Sequence, residues 1–284
     1  MTTLNPQGRR FCGIQMGYPG SAKTGSWACL ANAGYKLRII DLDHNLDPLY
    51  EYIKPENYKN VDVVSLYDRL RLGARRFETA RPPKAFAQVI KLLQHWKYEE
   101  DGKEVDLGKP SEWGLDTVLI LDSGTGLGKA AMRREAFLAP DNAPKDSIYG
   151  GAMEDQDNVM SILGSEHHKC HVIVSFHLKM IGPQLRKDKR ETEVEADAKQ
   201  AAAELIPTRL YPSALGWLLP PEIASNFPIL IVNETVTKGN KTKRIIRTNP
   251  CDSMDIKIAL QGLPAELPVE DGMLQIFNKL KGES

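Results

Sequence analysis

The chain has 284 residues, 42% of them hydrophobic and 26% charged, with 37 Lys and Arg balanced by 37 Asp and Glu. That length supports one sizeable core, or at most two modest ones, and the zero net charge excludes a polybasic protein whose whole surface attracts phosphate. No uncharged apolar stretch approaches the roughly 18 residues of a membrane span, residues 1–11 hold no apolar signal region, and Cys12, Cys29, Cys170 and Cys251 form no CxxC pair. A cytoplasmic protein with reduced thiols and no membrane contact is expected.

In chain order, apolar residues 11–16 read as a buried strand, followed by a Gly/Pro turn and a helix over 23–33. A second strand over 36–40 runs into an acidic turn. Phe86, Val89, Ile90, Leu93 and Trp96 recur at helical spacing, which predicts a helix over 83–96 with one apolar stripe. Residues 98–113 are polar, with Asp101-Gly102 as a hairpin turn. Residues 117–122 and 171–175 are near-continuous apolar runs, the pattern of parallel strands covered on both faces, and a helix is expected over 152–164. Residues 182–203 mix both charge signs and read as a loop leading into an Ala-rich helix. Strands over 228–237 and 242–248 flank Lys238-Gly239-Asn240-Lys241, an edge hairpin, and the residues after 250 are Pro-interrupted and end in a short amphipathic tail. Alternating strands and helices predict a doubly wound α/β domain with a mostly parallel sheet between helices and a C-terminal antiparallel hairpin. The partition is a core over 1–250 and an extension over 251–284, packed on that core or on a neighbouring subunit.

Between the first strand and its helix stands Gly17-Tyr18-Pro19-Gly20-Ser21-Ala22-Lys23-Thr24-Gly25. The phosphate-loop pattern is G-x-x-x-x-G-K-[ST] in that setting. Its backbone N–H groups cradle phosphates at a helix N-terminus, Lys23 reaches the terminal phosphates and the Thr24 hydroxyl holds Mg²⁺. Ala22 replaces the second glycine, which is harmless at negative φ and costly at positive φ. Such a loop calls for an acid at the end of another buried strand, and Asp122 in Leu119-Ile120-Leu121-Asp122 supplies it as the second Mg²⁺-side group. Hydrolysis also needs a carboxylate to orient water. Asp41 and Asp43 follow the second strand, on one face by strand alternation, so either fits. Glu166, His167, His168, Cys170 and His171 lie close together, but no second cluster gives zinc-finger spacing and no metal site is expected there.

These residues resemble the bacterial RecA family. Ile40-Asp41-Leu42-Asp43-His44-Asn45-Leu46-Asp47-Pro48 is similar to the RecA segment carrying the catalytic glutamate, with Asp43 in its place. Leu121-Asp122-Ser123 resembles the Walker B strand. Val172-Ile173-Val174-Ser175-Phe176-His177 resembles the strand ending in the γ-phosphate-sensing glutamine, with His177 in that position. The order of motifs covers residues 9–250 and is most similar to short RecA-like ATPases of bacteriophage recombination clusters, as is Pro264–Pro268 near the C-terminus.

The resemblance implies ATP and Mg²⁺ as cofactors, ATP hydrolysis, and coupling to single-stranded DNA through two loops. The first lies within 139–151, with Lys145 and Tyr149. The second spans 181–198, with Arg186, Lys187, Lys189 and Arg190, followed at once by Glu191, Glu193, Glu195 and Asp197. It further implies self-association into a ring or short filament, a neighbouring subunit's cation from Lys241, Lys243, Arg244 or Arg247 (Arg247 by alignment), and an annealing or single-strand-binding protein as partner, in the host cytoplasm if phage-encoded. The alternative is a nucleotide-dependent assembly or adaptor protein that never touches DNA, which the zero net charge favours. A small-molecule kinase lacks its arginine-rich lid here.

Overall fold

The computed structural model describes residues 9–72, 77–79, 82–181, 209–216, 218–239, 241–251 and 253–282. Strand β1 (Cys12–Gly17) leads through a 3₁₀ turn (Thr24–Trp27) into α1 (Ala28–Asn32) and β2 (Lys36–Asp41). Then come α2 (Asp47–Tyr52), β3 (Val61–Ser65), the short pair β4 (Leu70–Leu72) and β5 (Phe77–Thr79), and α3 (Ala85–Gln94). The hairpin β6 (Lys97–Glu100) and β7 (Lys103–Asp106) precedes β8 (Thr117–Asp122), α4 (Gly124–Leu138) and α5 (Lys145–Gly164). The chain continues through β9 (His171–Ile181), β10 (Arg209–Pro212), α6 (Leu219–Ser225), β11 (Ile229–Lys238), β12 (Lys241–Arg247), β13 (Glu266–Pro268) and α7 (Gly272–Lys281).

The main sheet runs β13-β12-β11-β1-β9-β8-β2-β3, with β10 paired to the outer part of β9. Strands β11 through β3 along that path are mutually parallel, while β12 and β13 add antiparallel edges. This mixed α/β architecture, with a mostly parallel sheet and a C-terminal antiparallel group, is the one the apolar runs predict. The strands are apolar on both sides because each face has its own core. Leu119 and Leu121 pack with α3, α4 and α5, whereas Val118 and Ile120 pack with α1 and α7, the period-two alternation of a strand. Each fully buried Leu, Ile or Phe stabilises by about 1.5–3 kcal/mol relative to exposure. Phe277 of α7 stacks on Phe11 at 5.4 Å and meets Tyr35 edge-on at 5.3 Å. In the segment 166–171, His168 and His171 are buried, and burial pushes both down to about 4.

Several elements differ from the sequence expectation. The helix expected over 23–33 is a 3₁₀ turn followed by the five-residue α1, because Ser26 N–H is shared between the Ala22 and Lys23 carbonyls. In the 83–96 segment, Trp96 lies beyond the helix end and Leu92 joins the buried face. β3 and α4 were not expected. Glycines 124, 126 and 128 hide the helical signal of α4, since glycine disfavours helix. They are there for close approach: a Cβ at Gly124 would stand 2.1 Å from the Phe176 ring, and one at Gly128 2.9 Å from Gln156. Buried Gln156 locks this contact, donating to the Gly124 carbonyl at 2.7 Å and accepting from Leu215 N–H at 2.9 Å.

Within the first expected DNA loop, the loop assignment is corrected for residues 145–151. Residues 145–151 are the opening turns of α5, which follows Pro144 as its N-cap, whose carbonyl accepts from Ser147 and Ile148 N–H. Gly151 is helical and packs closely against Glu135. Lys145 therefore stands at a helix start, and the Tyr149 hydroxyl accepts from Gly216 N–H at 2.5 Å while its side chain remains exposed.

Candidate functional site

Parallel pairing brings the carboxyl ends of β1, β8 and β2 beside the middle of β9 and β11. Gly17 at the end of β1 sits beside His177 of β9 and Asn233 of β11, and Asp122 at the end of β8 sits beside Asp41 of β2. Crevices at such strand ends are where open α/β sheets bind ligands. Here a cavity of about 520 Å³ is lined by Lys23, Thr24, Asp43, Asp122, Lys129, His177 and Arg244, among others. A second cleft of about 790 Å³ continues from it past Ala22, Tyr52 and Arg244 toward Lys243, Glu266 and Glu270.

The phosphate loop rests on a buried polar network. Gln15 donates to Ser26 Oγ at 2.8 Å and to Asn233 Oδ1 at 2.7 Å, and it accepts from Trp27 Nε1 at 2.5 Å. Lys23 is buried, and its ammonium donates to the loop's own carbonyls, Gly17 at 2.9 Å and Tyr18 at 3.3 Å. Burial lowers its pKa, partly offset by Asp122 and Asp43. Gly20 has φ +79° and Ala22 φ +62°. The loop therefore needs the left-handed region at the position where the pattern has glycine, and alanine there costs on the order of 1 kcal/mol. Ala22→Gly is expected to raise the unfolding free energy by about 1 kcal/mol, read as a higher urea midpoint at constant slope. No gain would mean that the folded loop does not hold this backbone conformation.

The acids take separate tasks. Asp41 is buried as the cap of the turn after β2: Oδ1 accepts from Asp43 N–H at 3.1 Å and His44 N–H at 2.8 Å, and Oδ2 from Ser65 Oγ at 2.8 Å. Because β2 ends at Asp41, strand alternation does not extend to Asp43, and Asp43 alone of the two lines the cavity. Burial raises the Asp43 pKa, but hydrogen bonds from His177 and Ser123 outweigh it and leave the carboxyl below its ordinary value. His177 Nε2 lies 3.2 Å from Asp43 Oδ2, and its backbone N–H donates to Thr125 Oγ1 at 3.3 Å.

Asp122 is buried and accepts from Ser175 Oγ on one oxygen and from Thr24 Oγ1 at 3.2 Å on the other. Burial pushes its pKa up to about 6, with Asp43 and Asp41 adding to the rise and Ser175 and Lys23 opposing it. A carboxylate and a hydroxyl in contact, with the Lys23 ammonium in the same cavity, are a hard-oxygen donor set that fits Mg²⁺, which takes one or two protein carboxylates and completes its shell with water and phosphate.

The structure thus brings Lys23, Thr24, Asp43, Asp122, His177 and Arg244 into one cavity. Lys243 lines the adjoining cleft. Arg247 is turned away: its guanidinium donates to Glu234 Oε2 at 2.7 and 2.9 Å and lies 3.5 Å from Glu266. Arg244 and Arg247 are three apart on β12, so their side chains leave opposite faces. Arg186, Lys187, Lys189 and Arg190 lie outside the described residues. Sequence reasoning missed Lys129, which reaches the cavity one helical turn after Thr125 on α4. The signal was available as an i, i+4 pair only once α4 was known to be a helix.

No protein-family model matches the chain, and no curated protein matches it. Among solved structures it is similar to a KaiC-like protein from the hyperthermophilic archaeon Pyrococcus horikoshii, with 10% identity and a TM-score of 0.38 over 83% of this chain and 76% of that one. It is similar to the flagellar accessory protein FlaH from Methanocaldococcus jannaschii, with 11% identity and a TM-score of 0.34 over 87% and 89% of the two chains. It is also similar to an ATPase of the type III secretion system of pathogenic bacteria, with 12% identity and a TM-score of 0.35 over 80% of this chain, which spans 52% of that ATPase.

Proposed function

We propose that this chain binds Mg²⁺-ATP at the end of β1 and hydrolyses it. The observation that carries the reading is the meeting of Lys23, Thr24, Asp122, Asp43 and His177 in one cavity beside a left-handed phosphate loop. Backbone N–H groups of residues 17–25 and Lys23 take the phosphates, and the cleft beyond Ala22 and Tyr52 has room for the nucleoside. Thr24 and Asp122 hold the Mg²⁺, whose charge offsets that of the terminal phosphates. Asp43, kept ionised by His177 and Ser123, accepts a hydrogen bond from the attacking water and orients it; its lowered pKa makes it a positioning acceptor rather than a strong base. His177, bonded to Asp43 from β9, reads the terminal phosphate in the sense the RecA resemblance implies.

Coupling to single-stranded DNA belongs to the same proposal. Its support is that β9 runs from His177 straight out to Ile181 and into the segment holding Arg186, Lys187, Lys189 and Arg190. A shift of His177 with nucleotide state is transmitted along one strand to those cations. Self-association, an annealing or single-strand-binding partner and a setting in phage DNA recombination, annealing or replication rest on the sequence resemblance.

Steady-state ATP hydrolysis with and without single-stranded DNA, over a salt series, tests both levels. Mg²⁺-dependent turnover stimulated by DNA, with the stimulation falling steeply as salt rises, is the expected result. Turnover indifferent to DNA would overturn the DNA coupling and favour the assembly switch, and an inability to bind ATP would overturn the whole reading.

A further inference from the structure

The hairpin of β11 and β12 overhangs the phosphate loop. β1 ends at Gly17 opposite Asn233, while β11 continues to Lys238 and pairs Thr235 with Arg244 of β12. Arg244 is therefore set two residues beyond the end of β1, above the loop. Its Nε donates to the Gly20 carbonyl at 3.2 Å, and its side chain lines the same cavity as Lys23, Thr24 and Asp122. It forms no ion pair with a described carboxylate, in contrast to Arg247 three residues on, which is held by Glu234 and Glu266.

Resting on the nucleotide reading, we infer that Arg244 clamps the phosphates bound by its own chain's loop, so that the cation expected from a neighbouring subunit is supplied from within. The chemistry follows from what Arg244 and Lys23 now hold. Both cations donate to neutral carbonyls of the loop itself, Arg244 to Gly20 and Lys23 to Gly17 and Tyr18. A phosphate oxygen carries a full charge and forms a stronger, charge-assisted bond with either group. A guanidinium can exchange its one carbonyl bond for a two-pronged contact with a phosphate by a rotation of its own side chain. Lys23 and Arg244 then grip the phosphate chain from the loop and from the hairpin. Loop and hairpin belong to one sheet through the β1–β11 pairing, so the grip needs no second subunit.

The test is a titration of wild type, Arg244→Ala and Arg244→Lys with a fluorescent ATP analogue and Mg²⁺, at protein concentrations below and above any self-association seen by sedimentation. Arg244→Ala is expected to weaken binding roughly 10- to 100-fold at every protein concentration, with part of the loss recovered in Arg244→Lys. Arg244 is exposed at a strand position, so the variants should melt with wild type. Hydrolysis by a mixture of Lys23→Ala and Arg244→Ala chains supplies the second arm. A clamp within one chain leaves the mixture no more active than the two variants assayed separately, because every site lacks one of the two cations. Recovery on mixing would assign Arg244 to a neighbour's site and overturn the inference. Wild-type affinity in Arg244→Ala would also overturn it while leaving the nucleotide reading intact, whereas a wild-type chain that fails to bind would bring down both.

Discussion

Lys23→Ala is expected to reduce Mg²⁺-ATP turnover by on the order of 100- to 1,000-fold, the loss seen when one preorganised charge-stabilising donor is removed from a reaction site. The fold should survive, because the Lys23 ammonium holds only the carbonyls of Gly17 and Tyr18, while the loop is anchored beneath by Gln15, Ser26 and Trp27. Nucleotide affinity should fall together with turnover, since the lysine contacts phosphate in both ground and transition states. The assay is steady-state hydrolysis beside equilibrium binding, with thermal melting as the control. A variant that melts normally and turns over at the wild-type rate would remove the loop from the phosphate site.

Asp122→Asn is expected to abolish turnover to a similar degree and yet make the folded chain more stable at neutral pH. The two effects have one cause. Asp122 is buried, and its pKa in the folded chain, about 6, lies above the ordinary 3.8. Between those values the folded chain binds more protons at this site than the unfolded chain does. The stability associated with the protonated carboxyl is therefore greatest below about pH 4 and is lost as pH rises through 6. Above that, the fold bears the full cost of an ionised buried carboxylate, roughly 3 kcal/mol at most. Asparagine has no charge to bury, and the Ser175 and Thr24 hydroxyls can each donate to or accept from it. Urea unfolding at pH 5 and pH 8 is the measurement. The advantage of the variant should grow between the two, while hydrolysis stays lost at both. A variant less stable than wild type at pH 8 would make Asp122 a structural anchor rather than a carboxylate kept at a cost to stability for a cation.

The same residue shows why this site is tuned by its surroundings. Asp43 and Asp122 face one cavity, but one is held below its ordinary pKa by hydrogen bonds and the other raised by burial. Separated pKa values suit separate work: in the proposed function Asp43 is the acceptor for water, and Asp122 is the carboxylate that a bound cation would ionise. His177 links the first of these to β9. In the proposed function, a change at the terminal phosphate would therefore meet a strand that continues beyond His177 to Ile181.

What the sequence determined on its own is what depends on neighbours along the chain. The loop from Gly17 to Gly25 was legible because the phosphate-loop pattern is carried by one contiguous stretch. The apolar runs of β1, β8 and β9 were legible because a strand buried on both faces leaves no polar side. The β11–β12 hairpin was legible from its turn residues. The helix α4 was not, since glycines placed for close contact with Phe176 and Gln156 look in one dimension like a broken helix. With α4 hidden, Lys129 was hidden too, and α5 was read as a loop up to residue 151. Tertiary structure alone chose between side chains of equal chemistry. Asp43 rather than Asp41 faces the cavity, because the end of β2 uses Asp41 to cap its turn. Arg244 rather than Arg247 lies over the loop, because the β11–β12 register sets where the hairpin overhangs Gly17. Residue type and spacing name the candidates, but strand register across a sheet is set by packing between segments as distant as Gly17 and Asn233, and that decides which of two like charges faces the cavity.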